Sequence, residues 1–427
     1  MSRFRPAAHS AHLPAAHYER DGMAGRPGRY GRSTRRAARV FGGGLAVTGL
    51  LAAGFAASAP TVAFANGVTP GSGQGVSRGD AAAGPSTVYT ETNQVSGNEV
   101  LAYRSGPSGT LTRIGSFSTG GTGTGTSPAS EGGVVLGDGG HLLAVVNGGS
   151  DNVSVFAVAP SGRLRLIDIT NSGGVDPISV TVRGGLVYVL NTGNATSPPD
   201  IAGFDIVGPP FLRRPFATQA LNPAASSPEQ IGFSPDGRDL VVTEKTSNTI
   251  DVFPVNALGI AGAAVTTTIP GDVGPYGFVF TPTGLLAVTE AATSALATFD
   301  LNPSGTLQAI STVPDGEQAP CWVALTANGS EAFVSNAHNG TISAYSVALD
   351  GTLSLLAPAA QATVTTGNTD LALGGSTLYI GDAPGVDATT ISPAGTLSSA
   401  TTAVTGLPAG TFGLAAVSTP AFAGNHG

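Results

Sequence analysis

The chain has 427 residues, of which 41% are hydrophobic and only 11% are charged, and its formal net charge is −8. This acidic balance argues against a surface that binds the phosphate backbone of nucleic acids or an anionic membrane. The single cysteine, Cys321, excludes an internal disulfide framework, so the fold must be held together by packing.

The first 65 residues are predicted to be an export signal. Nine of the 19 basic residues lie there, and a twin-arginine pair at positions 35–36 precedes an apolar run that begins at Val40. The sequence AFA ends at residue 65 and supplies the small residues that a signal peptidase reads. We therefore expect cleavage before Asn66 and a secreted, extracellular protein, with a membrane anchor as the alternative.

The mature chain would be more acidic than the whole. Removal of nine basic and two acidic residues leaves ten basic residues against 25 acidic ones and a net charge of −15. Residues 66–86 are rich in Gly, Ser and Ala and are predicted to form a flexible linker.

One sequence pattern then recurs along the chain: a β-rich run ending in Asn, Glu or Asp, a short polar turn, and a second β-rich run. The clearest copies are LAVVNGGSDNVSVF, LVVTEKTSNTIDVF and AFVSNAHNGTISAY. The first runs end at what we call the strand-end residues, Asn147, Asn191, Glu244, Glu290, Asn336 and Asp382, which are 44, 53, 46, 46 and 46 residues apart. A period in the forties made of short strands is typical of a β-propeller with one blade per period.

The two ends of the repeat region predict how the ring closes. TVYTETNQVSGNEVLAYRS and GTLTRI contain the later strands of a blade without an inner strand, whereas GTFGLAAV is an inner strand with nothing after it. Joining them completes a seventh blade and removes two open sheet edges. We predict an all-β fold over residues 87–418, a seven-bladed propeller of four-stranded antiparallel blades closed by pairing of the N- and C-terminal strands. Residues 116–130 would join two blades, residues 419–427 would form a tail, and six blades is the alternative.

These repeats resemble those of the seven-bladed β-propeller lactonase family, which includes propeller-type 6-phosphogluconolactonases and carboxymuconate-lactonising enzymes. The strings that carry the resemblance are SPDGRDLVVTEKTSNTIDVFPV, APCWVALTANGSEAFVSNAHNGTISAYSV and the GxL runs such as Gly351-Thr352-Leu353. The resemblance covers about residues 87–418 and implies a propeller of YVTN-type repeats and lactone hydrolysis. Enzymes of that family are thought to use His and Arg at the channel mouth. The matching positions here carry Glu, Gln, Tyr, Cys-Trp and Asp, which disfavours phosphorylated or carboxylated lactones.

Strand geometry predicts where a site would lie. Inner strands run from one face to the other and second strands return, so inner-strand starts and second-strand ends share a face, where propeller ligands converge. Opening a lactone requires a base that activates water and a group that stabilises the oxyanion. Glu229 and Glu244 are the candidate catalytic residues. The candidate substrate-binding residues are Gln230, Tyr276, Glu290, Trp322, Asn336 and Asp382.

Several of these residues also have a structural interpretation. Asn and Asp at a strand end can hydrogen-bond the following turn, a role for which Glu is less suited. Lys245, the only lysine after residue 65, must point away from its neighbour Glu244 and is predicted to be a solvated rim residue. Cys321 is predicted to be a buried structural thiol, and Trp322 either packs in the core or stacks on a ligand.

Two functions remain open from the sequence alone. The first is an exported lactonase-like hydrolase that acts on a neutral or sugar-derived lactone. The alternative is a non-catalytic extracellular propeller that binds a glycan, a peptide or a component of the cell envelope. Both predict a monomer that needs no cofactor or metal, binds no nucleic acid and has no membrane span after cleavage.

Overall fold

The computed structural model describes residues 84–206, 217–221, 227–358, 360–382 and 384–418. The predicted export signal, the predicted linker up to residue 83 and the predicted C-terminal tail lie outside the described residues. Within the described part, the first strand begins at Ser86 and the last strand ends at Ser418. None of the described residues belongs to a helix that is long and apolar enough to cross a membrane.

The described strands form seven antiparallel sheets, one for each blade. Blade one contains β1 (Ser86–Glu91), β2 (Glu99–Ser105) and β3 (Leu111–Ser118). Blade two contains β4 (Val134–Gly137), β5 (Leu142–Asn147), β6 (Asn152–Val158) and β7 (Leu164–Asn171). Blade three contains β8 (Pro177–Arg183), β9 (Leu186–Asn191), β10 (Asp200–Asp205) and β11 (Ala217–Ala220). Blade four contains β12 (Pro228–Phe233), β13 (Asp239–Glu244), β14 (Thr249–Pro254) and β15 (Val265–Thr268).

The remaining blades follow the same order. Blade five contains β16 (Pro275–Phe280), β17 (Leu286–Glu290), β18 (Ala295–Leu301) and β19 (Leu307–Pro314). Blade six contains β20 (Pro320–Leu325), β21 (Glu331–Asn336), β22 (Thr341–Val347) and β23 (Leu353–Leu355), and a fifth short strand, β24 (Ala362–Thr363), also pairs with β22. Blade seven contains β25 (Asn368–Gly374), β26 (Thr377–Asp382), β27 (Gly385–Thr390) and β28 (Thr401–Thr405). Two short 3-10 turns, Asp138–Gly140 and Gly148–Ser150, lie in the loops of blade two.

The last strand, β29 (Phe412–Ser418), is the inner strand of blade one. It pairs antiparallel with β1, from Ser86 opposite Ser418 to Glu91 opposite Phe412. The seven-bladed propeller and its closure by the two ends of the chain are therefore confirmed, and the six-bladed alternative is wrong. The segment predicted to join the first two blades is shorter than expected, because β3 continues to Ser118.

The dipeptides that favour tight turns explain why the strands end where they do. In blade six, the turn between β20 and β21 contains Asn328-Gly329, and the turn between β22 and β23 contains Asp350-Gly351. Both glycines have positive φ angles, 75° at Gly329 and 86° at Gly351, which side chains with a Cβ rarely adopt. Each glycine N–H donates to the carbonyl three residues earlier, which closes the turn.

The core is divided among the contacts between blades. Among the described residues there are seven hydrophobic clusters, and each joins two or three neighbouring sheets. The strand β29 contributes to three of them: Leu414 belongs to the cluster of Tyr379 in blade seven, and Ala415 and Phe412 belong to two clusters that include strands of blade two. The closing strand therefore contributes side chains to the cores on both of its sides.

Candidate active site at the inner-strand starts

The inner strands begin with a repeated local distortion. A residue with positive φ precedes the strand, such as Ser227 (53°) before β12 and Ala319 (55°) before β20. The strand then shifts its register by one residue, for example between Pro228 and Gln230 and between Pro320 and Trp322. Such a bulge re-aims the side chain of the extra residue, and bulges are common beside active sites.

The bulge residues of blades four, five and six gather into what we call the Glu229 cluster. It consists of Glu229, Lys245, Tyr276, Cys321 and Trp322. The Tyr276 hydroxyl donates a hydrogen bond to the Glu229 carboxylate. The Tyr276 and Trp322 rings meet edge to face with centroids 5.7 Å apart, and the Lys245 Nζ lies 5.0 Å from the Tyr276 ring centroid. Strands from three different blades thus place a carboxyl group, a phenol and an ammonium group together.

Burial perturbs the carboxyl group of this cluster strongly. Glu229 is 6% exposed. Desolvation raises its pKa from 4.5 to about 8, although the positive charge of Lys245 and hydrogen bonds from Ser227 and Tyr276 act in the opposite direction. A carboxyl group that exchanges its proton near neutral pH is suited to general acid–base chemistry.

The thiol of the cluster behaves differently. Cys321 is 7% exposed, and burial raises its pKa to about 12; the Lys245 charge lowers the pKa, and Glu229 and Glu131 raise it further. A thiol with such a pKa stays protonated and is a poor nucleophile. The structure thus places Cys321 as a buried thiol.

Two further buried carboxyl groups, Glu131 and Asp370, interact with each other. Asp370 is 2% exposed and accepts hydrogen bonds from the backbone N–H groups of Leu371 and Leu414, each at 2.7 Å. Desolvation nevertheless raises its pKa to about 7. Desolvation raises the pKa of Glu131 well above its usual value, and the Asp370 charge raises it further. The two neighbouring carboxyl groups therefore disfavour simultaneous ionisation.

Both carboxyl groups line an open cavity of about 280 Å³ beside the inner strands. Its walls are mainly the side chains and backbone of β4, β25 and β29, and Gln230 lines it as well. The Gln230 amide is engaged on both sides, since its Nε2 donates to the Phe278 carbonyl (3.1 Å) and its Oε1 accepts from the Phe278 N–H (2.5 Å). The predicted substrate-binding residue Gln230 therefore joins blade four to blade five in this structure.

The strand-end residues make hydrogen bonds in or beside the turns that follow them. The Asn147 Nδ2 donates to Asn152 and Ser154, and the Asn336 Nδ2 donates to Thr341 (3.1 Å) and Ser343 (2.8 Å). Across the set of Asn147, Asn191, Glu244, Glu290, Asn336 and Asp382, exposure does not exceed 5%. This is the arrangement that the structural interpretation of the set describes. The substrate-binding roles of Glu290, Asn336 and Asp382 stay predictions.

The neighbours Glu244 and Lys245 point in opposite directions, as strand alternation requires. The Glu244 Oε2 accepts from Ser247 (3.4 Å) and Thr249 (3.3 Å) in its own hairpin. Lys245 instead crosses to blade five, where its stem passes Gly274 and its ammonium group lies over the Tyr276 ring. Lys245 is exposed, as predicted for a rim residue, but it also belongs to the Glu229 cluster. Glu244 lies outside this cluster, and its catalytic role stays a prediction.

Within the described residues, no group of three or more His, Cys, Asp or Glu side chains is arranged to hold a metal ion. The chemistry available at the Glu229 cluster is that of its own side chains: a proton acceptor, a phenol donor and a cation.

Comparison with known proteins shows which family this fold resembles. A family model described as "Lactonase, 7-bladed beta-propeller" matches residues 283–370. The resemblance to that family is therefore confirmed. No curated protein sequence matches the chain.

Solved structures resemble this propeller over most of its length. A Bacteroides uniformis protein with a provisional 6-phosphogluconolactonase name superposes with a TM-score of 0.64 at 18% identity, covering 77% of this chain and 98% of its own. The periplasmic gluconolactonase of Pseudomonas aeruginosa gives a TM-score of 0.63 at 17% identity, covering 79% and 100%. Identities this low show the shared fold and leave the activity of this chain to be argued from its own residues.

Three residues of this propeller have contacts or positions that the sequence pattern does not indicate. Lys245 is predicted to be a solvated rim residue, and the sequence assigns no role to Glu131. Glu91 ends β1 as Glu244 ends β13, so it is a seventh strand-end residue. Aligning TVYTE with LVVTE would have found Glu91. No local sequence pattern indicates that Lys245 and Glu131 contact other blades.

Proposed function

We propose that the protein is an exported lactonase-like hydrolase that opens a neutral or sugar-derived lactone with water activated by Glu229. The observation that carries this proposal is the Glu229 cluster, in which a buried carboxyl group with a pKa of about 8 is hydrogen-bonded to Tyr276 and lies near the Lys245 ammonium group. The gluconolactonase name of the Pseudomonas aeruginosa neighbour also favours a sugar-derived lactone.

The reaction follows from the roles of these groups. The Glu229 carboxylate takes a proton from water while the water oxygen bonds to the lactone carbonyl carbon. The Lys245 ammonium group stabilises the negative charge that develops on the carbonyl oxygen. The ring C–O bond then breaks, and the leaving alkoxide takes the proton back from Glu229, which yields the hydroxy acid and regenerates the carboxylate.

Tyr276 has a positioning role in this scheme. Its hydroxyl donates to Glu229, and its ring lies between the Lys245 ammonium group and the Trp322 ring. The ring therefore fixes the relative placement of the base and the cation. We expect rates to increase with pH toward 8, because only about a tenth of Glu229 is in the base form at pH 7 when its pKa is about 8.

The test is hydrolysis of a panel of neutral, sugar-derived and carboxylated lactones by the mature protein. Glu229→Gln should reduce kcat at least a hundredfold, and Glu99→Gln, a half-buried carboxyl group at the start of β2, is the matched control. Glu244→Gln decides between the two predicted bases. Loss of activity in Glu244→Gln with full activity in Glu229→Gln would move the base to the hairpin. No turnover of any lactone above buffer would reject the enzyme.

A non-catalytic extracellular propeller that binds a glycan, peptide or envelope component is the second candidate. It is favoured by the low exposure of Glu229, Tyr276 and Cys321, each below one tenth. A groove of about 930 Å³ on the opposite face, between blades four and five, offers a larger surface. It is lined by the turns at 234–239 and 300–303. Binding of an oligosaccharide without turnover of any lactone would support this candidate.

A further inference from the structure

The inner strands are tied to one another by a repeated side-chain bond. The residue that makes this bond lies two positions after the proline at the bulge, or after the residue that replaces this proline. Its side chain accepts a hydrogen bond from a backbone N–H of the next inner strand. The Ser179 Oγ accepts from Ile231 (3.2 Å), the Gln230 Oε1 accepts from Phe278 (2.5 Å), and the Asp370 Oδ2 accepts from Leu414 (2.7 Å). These bonds satisfy backbone groups that an inner strand exposes to the channel.

The tie is present from blades three, four and seven. Blade five lacks it because its equivalent residue is Gly277, and the equivalent residues of blades six and one, Trp322 and Leu414, have no acceptor either. The N–H that needs an acceptor belongs to Val323 of blade six, and the Glu131 carboxyl group accepts it from the other side of the channel. A methyl group on Gly277 would overlap the Glu131 Oε2. Glu131 therefore occupies the space of the side chain that residue 277 lacks, and it accepts the hydrogen bond that such a side chain would accept.

The backbone around Glu131 is held by three further blades. The Glu131 N–H donates to the Glu229 carbonyl at 3.2 Å. The Ser130 Oγ donates to the Ile178 carbonyl (2.9 Å), and the Trp322 Nε1 donates to the Ser130 carbonyl (3.2 Å). A two-residue segment from blade two thus contacts blades three, four and six at the level of the Glu229 cluster.

These contacts bear on the site because they hold both sides of it. The Glu229 carbonyl belongs to the bulge that carries the proposed base, and Gly277 directly follows Tyr276. We propose that Glu131 is a positioning residue, whose reach across the channel holds the bulges of Glu229 and Tyr276 in register. Its carboxyl group is needed for its length and its hydrogen-bond acceptor, and its ability to ionise is dispensable.

Three substitutions at one position separate length from the ability to ionise. Glu131→Gln keeps the length and an acceptor for the Val323 N–H but cannot ionise. Glu131→Asp can still ionise but is one methylene shorter, and Glu131→Ala removes the group. The readout is the pH midpoint of Glu229, followed by carbon NMR of labelled glutamate carboxyl groups and assigned with Glu229→Gln. The emission of Trp322, the only tryptophan, is a second signal.

The expected result is a midpoint near that of the natural protein in Glu131→Gln and a midpoint at least one pH unit lower in Glu131→Asp and Glu131→Ala. The fall is expected because a loosened bulge admits water to Glu229. A midpoint that moves in Glu131→Gln but not in Glu131→Asp would overturn the proposal, because the ability of residue 131 to ionise would then matter more than its length. Unchanged midpoints in all three variants would also overturn it. If Glu131→Ala does not fold, Glu131→Asp decides.

This inference rests on the proposed function only for its catalytic consequence. If the protein hydrolyses a lactone, Glu131→Asp should reduce kcat more than it raises KM, because the base is displaced rather than removed. The midpoint of Glu229 is measured without turnover. An inactive protein would therefore reject the hydrolase and still show whether Glu131 positions the cluster.

Discussion

The buried carboxyl group of Glu229 makes a prediction about stability that needs no substrate. Burial raises its pKa from 4.5 to about 8, so the folded protein holds a proton there that the unfolded chain has already lost. A raised pKa contributes stability that is fully present below pH 4.5 and is lost as the pH rises through 8. Glu229→Gln is neutral at every pH and removes this dependence.

The size of the effect follows from the shift. Each pKa unit corresponds to about 1.4 kcal/mol, so a rise from 4.5 to about 8 corresponds to about 5 kcal/mol. At 6% exposure, solvent screens the group little. Relative to the variant, the natural protein should therefore lose about 1.4 kcal/mol of unfolding free energy per pH unit between pH 5 and 8.

The assay is equilibrium unfolding in urea at pH 5, 6, 7, 8 and 9, followed by circular dichroism, with both proteins measured side by side. The difference between the two free energies of unfolding matters, because Glu91, Glu131 and Asp370 also have raised pKa values and make both proteins less stable at high pH. Glu99→Gln is measured in parallel as the control for the loss of one carboxyl group. A difference between natural protein and Glu229→Gln that stays constant from pH 5 to 9 would refute the reasoning.

Three further results are expected. Lys245→Gln should raise the pH midpoint of Glu229, because the ammonium charge lowers that pKa, whereas Lys245→Arg should leave it nearly in place; NMR titration checks both. Asn336→Ala should lower the free energy of unfolding in urea by about 1–3 kcal/mol, because Thr341 and Ser343 lose a buried partner; an unchanged midpoint would contradict its turn-forming role. Truncation after Gly410 removes β29 and should abolish cooperative thermal unfolding, since blade one loses its inner strand; a sharp transition would show that the ring tolerates an open blade.

The repeat fixed the fold from sequence because each blade reuses the same local chemistry. The spacing of the six strand-end residues predicts six blades, and joining GTFGLAAV to the strands near the N-terminus predicts the seventh blade and its closing strand. The turn glycines, such as Gly329 and Gly351, marked the hairpins for the same reason. Because the strand-and-turn pattern recurs from blade to blade, one strand that is unclear in the sequence does not change the predicted fold.

The candidate site was only partly readable, because its contacts cross between blades. Glu229, Tyr276 and Trp322 were found from strand geometry, since they occupy equivalent positions at inner-strand starts. Lys245 is exposed, as predicted for a rim residue, but its contact with Tyr276 was not predicted, because its stem leaves its own blade over Gly274. The role of Glu131 depends on a side chain that Gly277 lacks in another blade, and no pattern within one repeat contains that relation.

The closure of the ring also sets an order of events for folding. Ser86 and Ser418 lie with their hydroxyl oxygens 3.2 Å apart although 332 residues separate them along the chain. Blade one can therefore be completed only after nearly the whole chain has been synthesised. Contacts between residues so far apart in the sequence form slowly. Until then β1 presents an unpaired edge to other chains. We expect the strand from Phe412 to Ser418 to pair with β1 late in folding. This pairing closes the ring of blades and removes the unpaired edge at which aggregation could begin.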